Sequence, residues 1–307
     1  MDREYKVSEA AKVLKNANLI KKYHANLVYD YTEYPTKGNW KETFSEEDYK
    51  NSILKWFPKN FQKPVLFYVH TPFCEQLCNF CLCSKEITQD YNKVKDYLYK
   101  YLSKELDLFE QFITTNKINF NYKEIYFGGG SPTYYKEEEF TYLIKRLKNF
   151  IDFKNIGDFT VEIDPRRVDE EKLIYYHEMG VNRLSFGVQE FDIEVQKSIA
   201  RVQPKKLVER LLTPTIRDMF PNGINFDLIC GLPGQNLINF DSTIDLVIDL
   251  NPDRICLNYL HFSPKFHPHQ LLMPKELIPD EFLRKELFIS AAEKLEKNGY
   301  IRAGYDH

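Results

Sequence analysis

The sequence predicts an α/β protein, a parallel partial (β/α)6 barrel preceded by an N-terminal arm. Three observations carry that prediction. Six short β-rich runs bounded by turn residues follow one another along the chain. Every gap between them holds a helical pattern, which is how parallel strands are joined. The residues able to do chemistry cluster at the C-terminal ends of the runs, where a barrel of this kind gathers its working groups.

The runs are 65–70, 124–128, 159–164, 182–187, 224–229 and 254–259. Helical patterns occupy 91–114, 136–150, 170–179, 193–199 with 205–217, and 239–250. Six alternations favour a barrel or partial barrel over a small doubly wound sheet. Residues 1–57 differ in character and are expected to form the arm, packed on a barrel core of residues 58–307. The arm reads as a charged helical start, then Tyr29-Asp30-Tyr31-Thr32-Glu33-Tyr34-Pro35-Thr36, Trp40, and a short helix near 46–55. After His261 a loop with Pro264, His267, Pro268, His269 and Pro274 leads to a last helix, 280–297, with Gly299 as its C-cap. Asp306 and His307 stand where a seventh strand would be under way.

At 307 residues the chain can bury a sizeable core without disulfides. Its six cysteines, four of them within ten residues, read as metal binding in a reducing compartment, so a cytoplasmic location is expected. The N-terminus has no apolar signal core and no stretch is apolar enough to span a bilayer, so no membrane partner is expected. A formal charge of -3 supplies no basic footprint for nucleic acid.

The four clustered cysteines are Cys74, Cys78, Cys81 and Cys83. Thiolates four and then three residues apart on one loop can converge on an iron-sulfur cluster, the soft-ligand chemistry such spacing suits. The bland alternative is a structural zinc site, but zinc usually draws on two separated cysteine pairs and no second pair exists. Cys230 and Cys256 lie in apolar strand contexts and read as core. Gly128-Gly129-Gly130 alone reads as a turn, Glu162 alone as a satisfied rim carboxylate, and Gln189 and Arg201 alone as helix-surface residues. His261, His267 and His269 are too loosely spaced for a metal site and suggest a structural or substrate-edge role.

Cys-x-x-x-Cys-x-x-Cys, with aromatic Phe80 before the third cysteine, is the signature of radical S-adenosylmethionine (radical SAM) enzymes. Further motifs sharpen the match: Tyr-Val-His-Thr-Pro-Phe-Cys from Tyr68, Cys-Leu-Cys-Ser-Lys from Cys81, Gly-Gly-Gly-Ser-Pro-Thr from Gly128 and Val-Glu-Ile-Asp-Pro-Arg from Val161. Asn-Arg-Leu-Ser-Phe-Gly-Val-Gln-Glu-Phe from Asn182, Asp-Leu-Ile-Cys-Gly-Leu-Pro-Gly-Gln from Asp227 and Asn-Pro-Asp-Arg from Asn251 extend it. Together they resemble the oxygen-independent coproporphyrinogen III oxidase (HemN) group over residues 60–307, which implies a radical SAM barrel.

The resemblance implies roles position by position. Cys74, Cys78 and Cys81 would hold a 4Fe-4S cluster with one iron left open for SAM. Tyr68, Gly129 and Glu162 would hold that SAM, and Phe80, Gly130, Ser131, Gln189, Arg201 and Asp227 a second one. Cys83 marks the group without being an expected ligand. The implied reaction is reductive cleavage of SAM to a 5′-deoxyadenosyl radical, hydrogen abstraction from a propionate side chain, and loss of carbon dioxide to leave a vinyl group. That is an oxidoreductase of haem and porphyrin biosynthesis, acting on a small tetrapyrrole, fed by a reductant such as flavodoxin or ferredoxin, and expected to be a monomer.

Three departures bear on substrate. Where the group carries Arg and Ser near its N-terminus, this chain has Asp30 and Glu33, the wrong sign for a substrate with four carboxylates. Leu260 replaces a small Ala and could crowd the second SAM. The chain stops before the helical C-terminal domain that covers the barrel mouth in the group. These departures keep alternatives in play: a related radical SAM methyltransferase or tetrapyrrole-modifying enzyme, or a haem chaperone of the same superfamily, although chaperone relatives lack the Cys-x-Cys ending.

Overall fold

The computed structural model describes residue 39 and residues 43–307. The expected helical start, the segment containing Asp30 and Glu33, and Trp40 lie outside the described residues. Two units are distinguished, one ending at Phe61 and one running from Gln62 to His307. In the first, helix α1 (Glu46–Asn60) begins at Ser45, whose hydroxyl accepts from Asp48 N while the Asp48 carboxylate accepts from Ser45 N. This reciprocal cap satisfies two of the helix's orphan donors and explains why the chain turns helical there.

The second unit is built on one six-stranded sheet. Its strands are β1 (Pro64–Thr71), β4 (Asn121–Gly129), β5 (Asp158–Ile163), β6 (Arg183–Gln189), β7 (Ile224–Cys230) and β8 (Arg254–Tyr259). Between β1 and β4 the short β2 (Phe73–Cys74) and β3 (Glu86–Ile87) pair with each other. All five ladders of the large sheet are parallel, in the order β1-β4-β5-β6-β7-β8. Because every strand pairs with the next in sequence, the sheet has no switch point. The partial (β/α)6 barrel is therefore the observed architecture, and a doubly wound sheet is excluded.

Alternation along the strands sorts residues onto two faces. Phe127, Val161, Leu184, Phe186, Phe226 and Leu228 are buried in the main core. Phe127 packs on Phe140, which in turn meets Tyr176, carrying the core out into the covering helices. The intervening positions are polar and touch across strands: Tyr68 stacks on Tyr126, Tyr126 bonds Glu162, and Ser185 bonds Asp227. One face thus holds the sheet to its helices, and the other carries chemistry.

The helices are α2 (Tyr91–Asp96), α3 (Ser103–Thr115), α4 (Glu137–Leu147), α5 (Glu170–Glu178), α6 (Ile193–Ser198), α7 (Lys205–Glu209), α8 (Pro214–Met219), α9 (Leu237–Leu250) and α10 (Glu281–Lys297). Two expectations need correction. The span 91–114 is interrupted by a π-helical turn, Tyr97–Leu102, where the Ser103 hydroxyl bonds Leu98 O. The span 205–217 is two helices, because Pro214 cannot continue α7 and instead opens α8 behind the cap of Thr213. α10 has its C-cap at Asn298, one residue before the expected Gly299, and Gly299 then takes φ +94°. Among the described residues no seventh strand forms in the sheet, although Leu257 N donates to Asp306 O at 2.7 Å.

Glu190, just past β6, ties two loops together. Fully buried, it accepts from Phe191 N (2.6 Å), Asp192 N (3.0 Å), Gln235 Nε2 (2.6 Å) and the Thr243 hydroxyl. Gln235 also accepts from Gly231 N and Leu232 N, so the loop after β7 hangs on the same carboxylate. Removing it strands several buried donors at roughly 1–3 kcal/mol each. Glu190→Ala should lower unfolding free energy by about 3 kcal/mol or more, read as a shifted urea midpoint; a midpoint within error of the parent would contradict this role.

Candidate active site

The cysteine loop leaves β1 at Thr71 and is held along its whole length. Thr88 N donates to Cys74 O (3.0 Å), Asn79 N to Ile199 O (3.0 Å), and Lys85 Nζ to Cys81 O (3.3 Å) and Cys83 O (3.2 Å). His269 Nε2 bonds Cys81 O at 2.8 Å, and Gln270, fully buried, donates to Phe80 O (3.2 Å) and His261 O (2.8 Å). The structural role expected of the histidine loop is thus filled by His269, while His261 Nε2 pairs with the Ser263 hydroxyl at 2.7 Å.

Gly130 explains the close approach of the glycine turn. Its N–H reaches Thr71 O at 2.7 Å, and an added Cβ would lie 2.8 Å from Phe73 O, 2.9 Å from Thr71 O and 3.1 Å from Cys74 Sγ. Gly129 has φ +112°, which a side chain resists, and a Cβ there would meet the His70 ring at 2.7 Å. Only glycine lets β4 end against the cysteine loop.

Three acidic side chains occupy the strand ends. Glu162 on β5 accepts from Tyr126 Oη (3.1 Å) and Gly129 N (3.2 Å). Burial, then the Asp227 charge, push it up to about 7 in spite of those two bonds. Asp227 on β7 accepts from Ser185 Oγ (3.0 Å) and Asn225 Nδ2 (2.9 Å), and burial pushes it up as well. Asp164 behaves oppositely: burial would raise it, but Arg201 and Arg166 hold it below the ordinary carboxylate range.

The remaining anticipated residues fall as follows. Tyr68 Oη meets His70 Nδ1 at 3.1 Å, and burial, with the Glu162 charge, pushes the phenol up to about 12. Ser131 is buried, its hydroxyl paired with Thr133 at 2.8 Å. Gln189 ends β6 at φ +67°, beside a break in the β6–β7 register. Arg201 is a buried residue beyond α6, bonded to Gly187 O (2.8 Å) and Gln203 Oε1 (3.0 Å), so the helix-surface alternative fails for it. Leu260 is buried in a small apolar cluster with Val195, Ile199, Ile229, Leu232 and Met273, against which Phe80 packs. Cys230 and Cys256 are buried, as expected of core residues.

A zinc ion at about 2.3 Å from each sulfur would need its thiolates within about 4.6 Å of one another. Among the described residues, the three-donor group with all ligand atoms within 4.8 Å is Cys256, Asp306 and His307, and the loop cysteines are not such a group. Thiolates bound to separate irons of a cluster are not so constrained. In the terminal group, a 2.6 Å contact of His307 Nδ1 with Asp306 Oδ1 accounts for much of the closeness. Sequence reasoning missed Arg166, Lys85, Glu190 and Gln270; the first three lay inside quoted motifs, but nothing in the chain order signalled their partners.

A family model of the radical SAM superfamily matches residues 68–247. The chain belongs to the radical SAM superfamily, whose members work with a 4Fe-4S cluster and SAM. Within it, the chain is 36% identical over 279 residues to the oxygen-independent coproporphyrinogen III oxidase of Helicobacter pylori strain J99, covering 90% of this chain and 60% of that one. The Pseudomonas aeruginosa enzyme of the same name is 32% identical over 295 residues, covering 95% and 62%. The solved structure of coproporphyrinogen III oxidase (HemN) from Escherichia coli, described as a radical SAM enzyme, matches with a TM-score of 0.82 and 29% identity, over 92% of this chain and 63% of that chain. The chain spans about three fifths of the length of these relatives.

The Cys83 thiol lies beside that of Cys81, and the two act on each other, drawing the Cys81 pKa down and pushing that of Cys83 up. Replacing Cys74, Cys78 or Cys81 by Ser should reduce reconstituted iron to background, whereas Cys83→Ser should keep it near wild type. Iron and sulfide quantitation decides, and loss of iron in Cys83→Ser would make it a ligand.

Proposed function

We propose that this chain carries the radical SAM core of an oxygen-independent coproporphyrinogen III oxidase, converting propionate side chains to vinyl groups in porphyrin biosynthesis. The observation that carries the chemistry is the meeting of the three-cysteine loop with Glu162 and Asp227 at one end of the sheet; the substrate rests on the relatives. The bound cluster and SAM supply a one-electron cleavage that generates a hydrogen-abstracting radical. The net change at each propionate would be loss of one hydrogen atom to that radical, of one electron to an external one-electron acceptor, and of carbon dioxide, leaving a carbon-carbon double bond.

The chain's own residues bind and orient. Cys74, Cys78 and Cys81 hold irons. Glu162 accepts from the ammonium or ribose hydroxyls of SAM, with Gly129 and Tyr68 beside it. Phe80, Gly130, Ser131, Gln189, Arg201 and Asp227 form the place for a second SAM, whose carboxylate suits Arg201. Leu260, packed with Phe80, shapes that place. A low-potential reductant such as flavodoxin or ferredoxin delivers the electrons to a cytoplasmic monomer.

Anaerobic reconstitution of this chain, followed by mass spectrometry with and without coproporphyrinogen III, tests the reading. Decarboxylated product and 5′-deoxyadenosine are expected. SAM cleavage without decarboxylation would sink the substrate assignment; methylated product with S-adenosylhomocysteine would redirect it to methyl transfer, and stoichiometric haem binding without SAM cleavage to a chaperone.

Glu162 adds a pH signature. With its folded pKa near 7 it is neutral below that pH and cannot pair with an ammonium, so cation binding must expel a proton. SAM affinity should therefore weaken by up to about tenfold per pH unit as pH falls below 7, and Glu162→Gln should flatten the dependence. Titration calorimetry of the reconstituted protein between pH 6 and 8 measures it; an affinity unchanged over that range would remove Glu162 from the binding site.

A further inference from the structure

The three cysteines assigned to the cluster do not share one environment. Cys81 has the Cys83 thiol beside its sulfur and Lys85 on its carbonyl. Cys74 is pushed up to about 12 by burial and by the neighbouring thiols. Cys78 faces two guanidinium groups: Arg201 Nη1 lies 3.6 Å and Arg166 Nη2 3.9 Å from its sulfur.

Neither arginine is there by chance of a loose rotamer. Arg166 is gripped by Asp164 through Nε–Oδ1 at 2.9 Å and Nη2–Oδ2 at 2.7 Å, while its own backbone N–H bonds Oδ1 at 3.1 Å. This two-point clamp fixes the plane of the guanidinium. Arg201 is anchored on Gly187 O and Gln203, and its Nη2 lies 3.7 Å from Asp164 Oδ1. Two positive groups and one negative group thus leave one net positive charge against the Cys78 sulfur.

A cluster gains one negative charge on reduction. Positive charge and N–H donors at a ligand sulfur stabilise that form and raise the reduction potential. We infer that Arg166, clamped by Asp164, is a positioning residue that sets the potential of the cluster through Cys78. This rests on the assignment of Cys74, Cys78 and Cys81 as cluster ligands. Arg166 separates the effect from SAM contact better than Arg201, which is also proposed to meet the second SAM.

The test is a redox titration of the anaerobically reconstituted protein without SAM, followed by electron paramagnetic resonance of the reduced cluster. Arg166→Gln removes a positive charge and should shift the midpoint to more negative potential. Asp164→Asn removes the compensating negative charge and should shift it to more positive potential. Arg166→Lys, keeping charge but losing the fork, should shift less than Arg166→Gln. Opposite signs are the decisive feature, since a purely structural disturbance has no reason to produce them.

Coincident midpoints, or shifts of one sign in Arg166→Gln and Asp164→Asn at wild-type iron content, would overturn the inference. Should Arg166→Gln fail to hold iron, Arg166→Met, also uncharged and of similar reach, decides: a negative shift supports the inference and an unchanged or positive one overturns it. A wild-type chain that takes up no cluster would defeat the ligand assignment and this inference together, whereas a normal cluster with unmoved potentials defeats the inference only.

Discussion

The bond from Gly130 N to Thr71 O is the contact on which the site is hung. It continues the β1–β4 pairing one step past the end of the strands, into the turn that opens the cysteine loop. The backbones lie so near that no Cβ fits between them. A residue larger than glycine would push the turn off Thr71, Phe73 and Cys74 at once. Beyond that anchor the loop is held again and again, by Glu86 and Thr88 near its start and by Asn79, Lys85, His269 and Gln270 farther on. All of these ties go to backbone carbonyls, which fixes the path of the chain without using the thiols.

Buried carboxylates on this framework fall into two kinds. Glu190 has its oxygens filled by four neutral donors and works as a strut. Asp164 is neutralised by a clamped arginine and works as a lever on it. Glu162 and Asp227 have two neutral donors apiece and stay pushed up by burial. An acid held uncomfortably in this way is stabilised by an arriving cation or hydroxyl donor, which is the physical ground for the binding role proposed for it. The contrast lies in partners rather than in depth.

Much of the fold was legible because its information is local. All six predicted runs became strands of the large sheet, since β-rich patterning with turn residues at the ends is written in adjacent residues. Pro214 was legible in principle as a helix break; the apolar pattern running through 205–217 concealed it. The cysteines, the glycine turn and Glu162 were legible as motifs. Arg166 was in plain view beside Glu162 and Asp164, yet its importance depends on Cys78, 88 residues away. The partners of His269 lie farther still, across 188 residues of chain. Such pairings follow from the parallel order of the sheet, which brings loops together that no spacing rule connects.

That distance explains why the signature motif alone underdetermines the site. Within the motif, Cys74, Cys78 and Cys81 are chemically the same donor. The fold makes them different: glycine backbone against the first, two arginines from beyond β5 and α6 against the second, a neighbouring thiol and a lysine at the third. An electron entering a cluster held in this way meets an unsymmetrical field, positive on the side of Cys78. The asymmetry belongs to the barrel, not to the loop, because each of its sources except the Cys83 and Lys85 pair is supplied from outside the loop, Gly130 and Arg166 from strand ends and Arg201 from beyond α6. On the proposed ligand assignment, two chains with the same cysteine spacing but different residues around the loop would hold a cluster at different potentials.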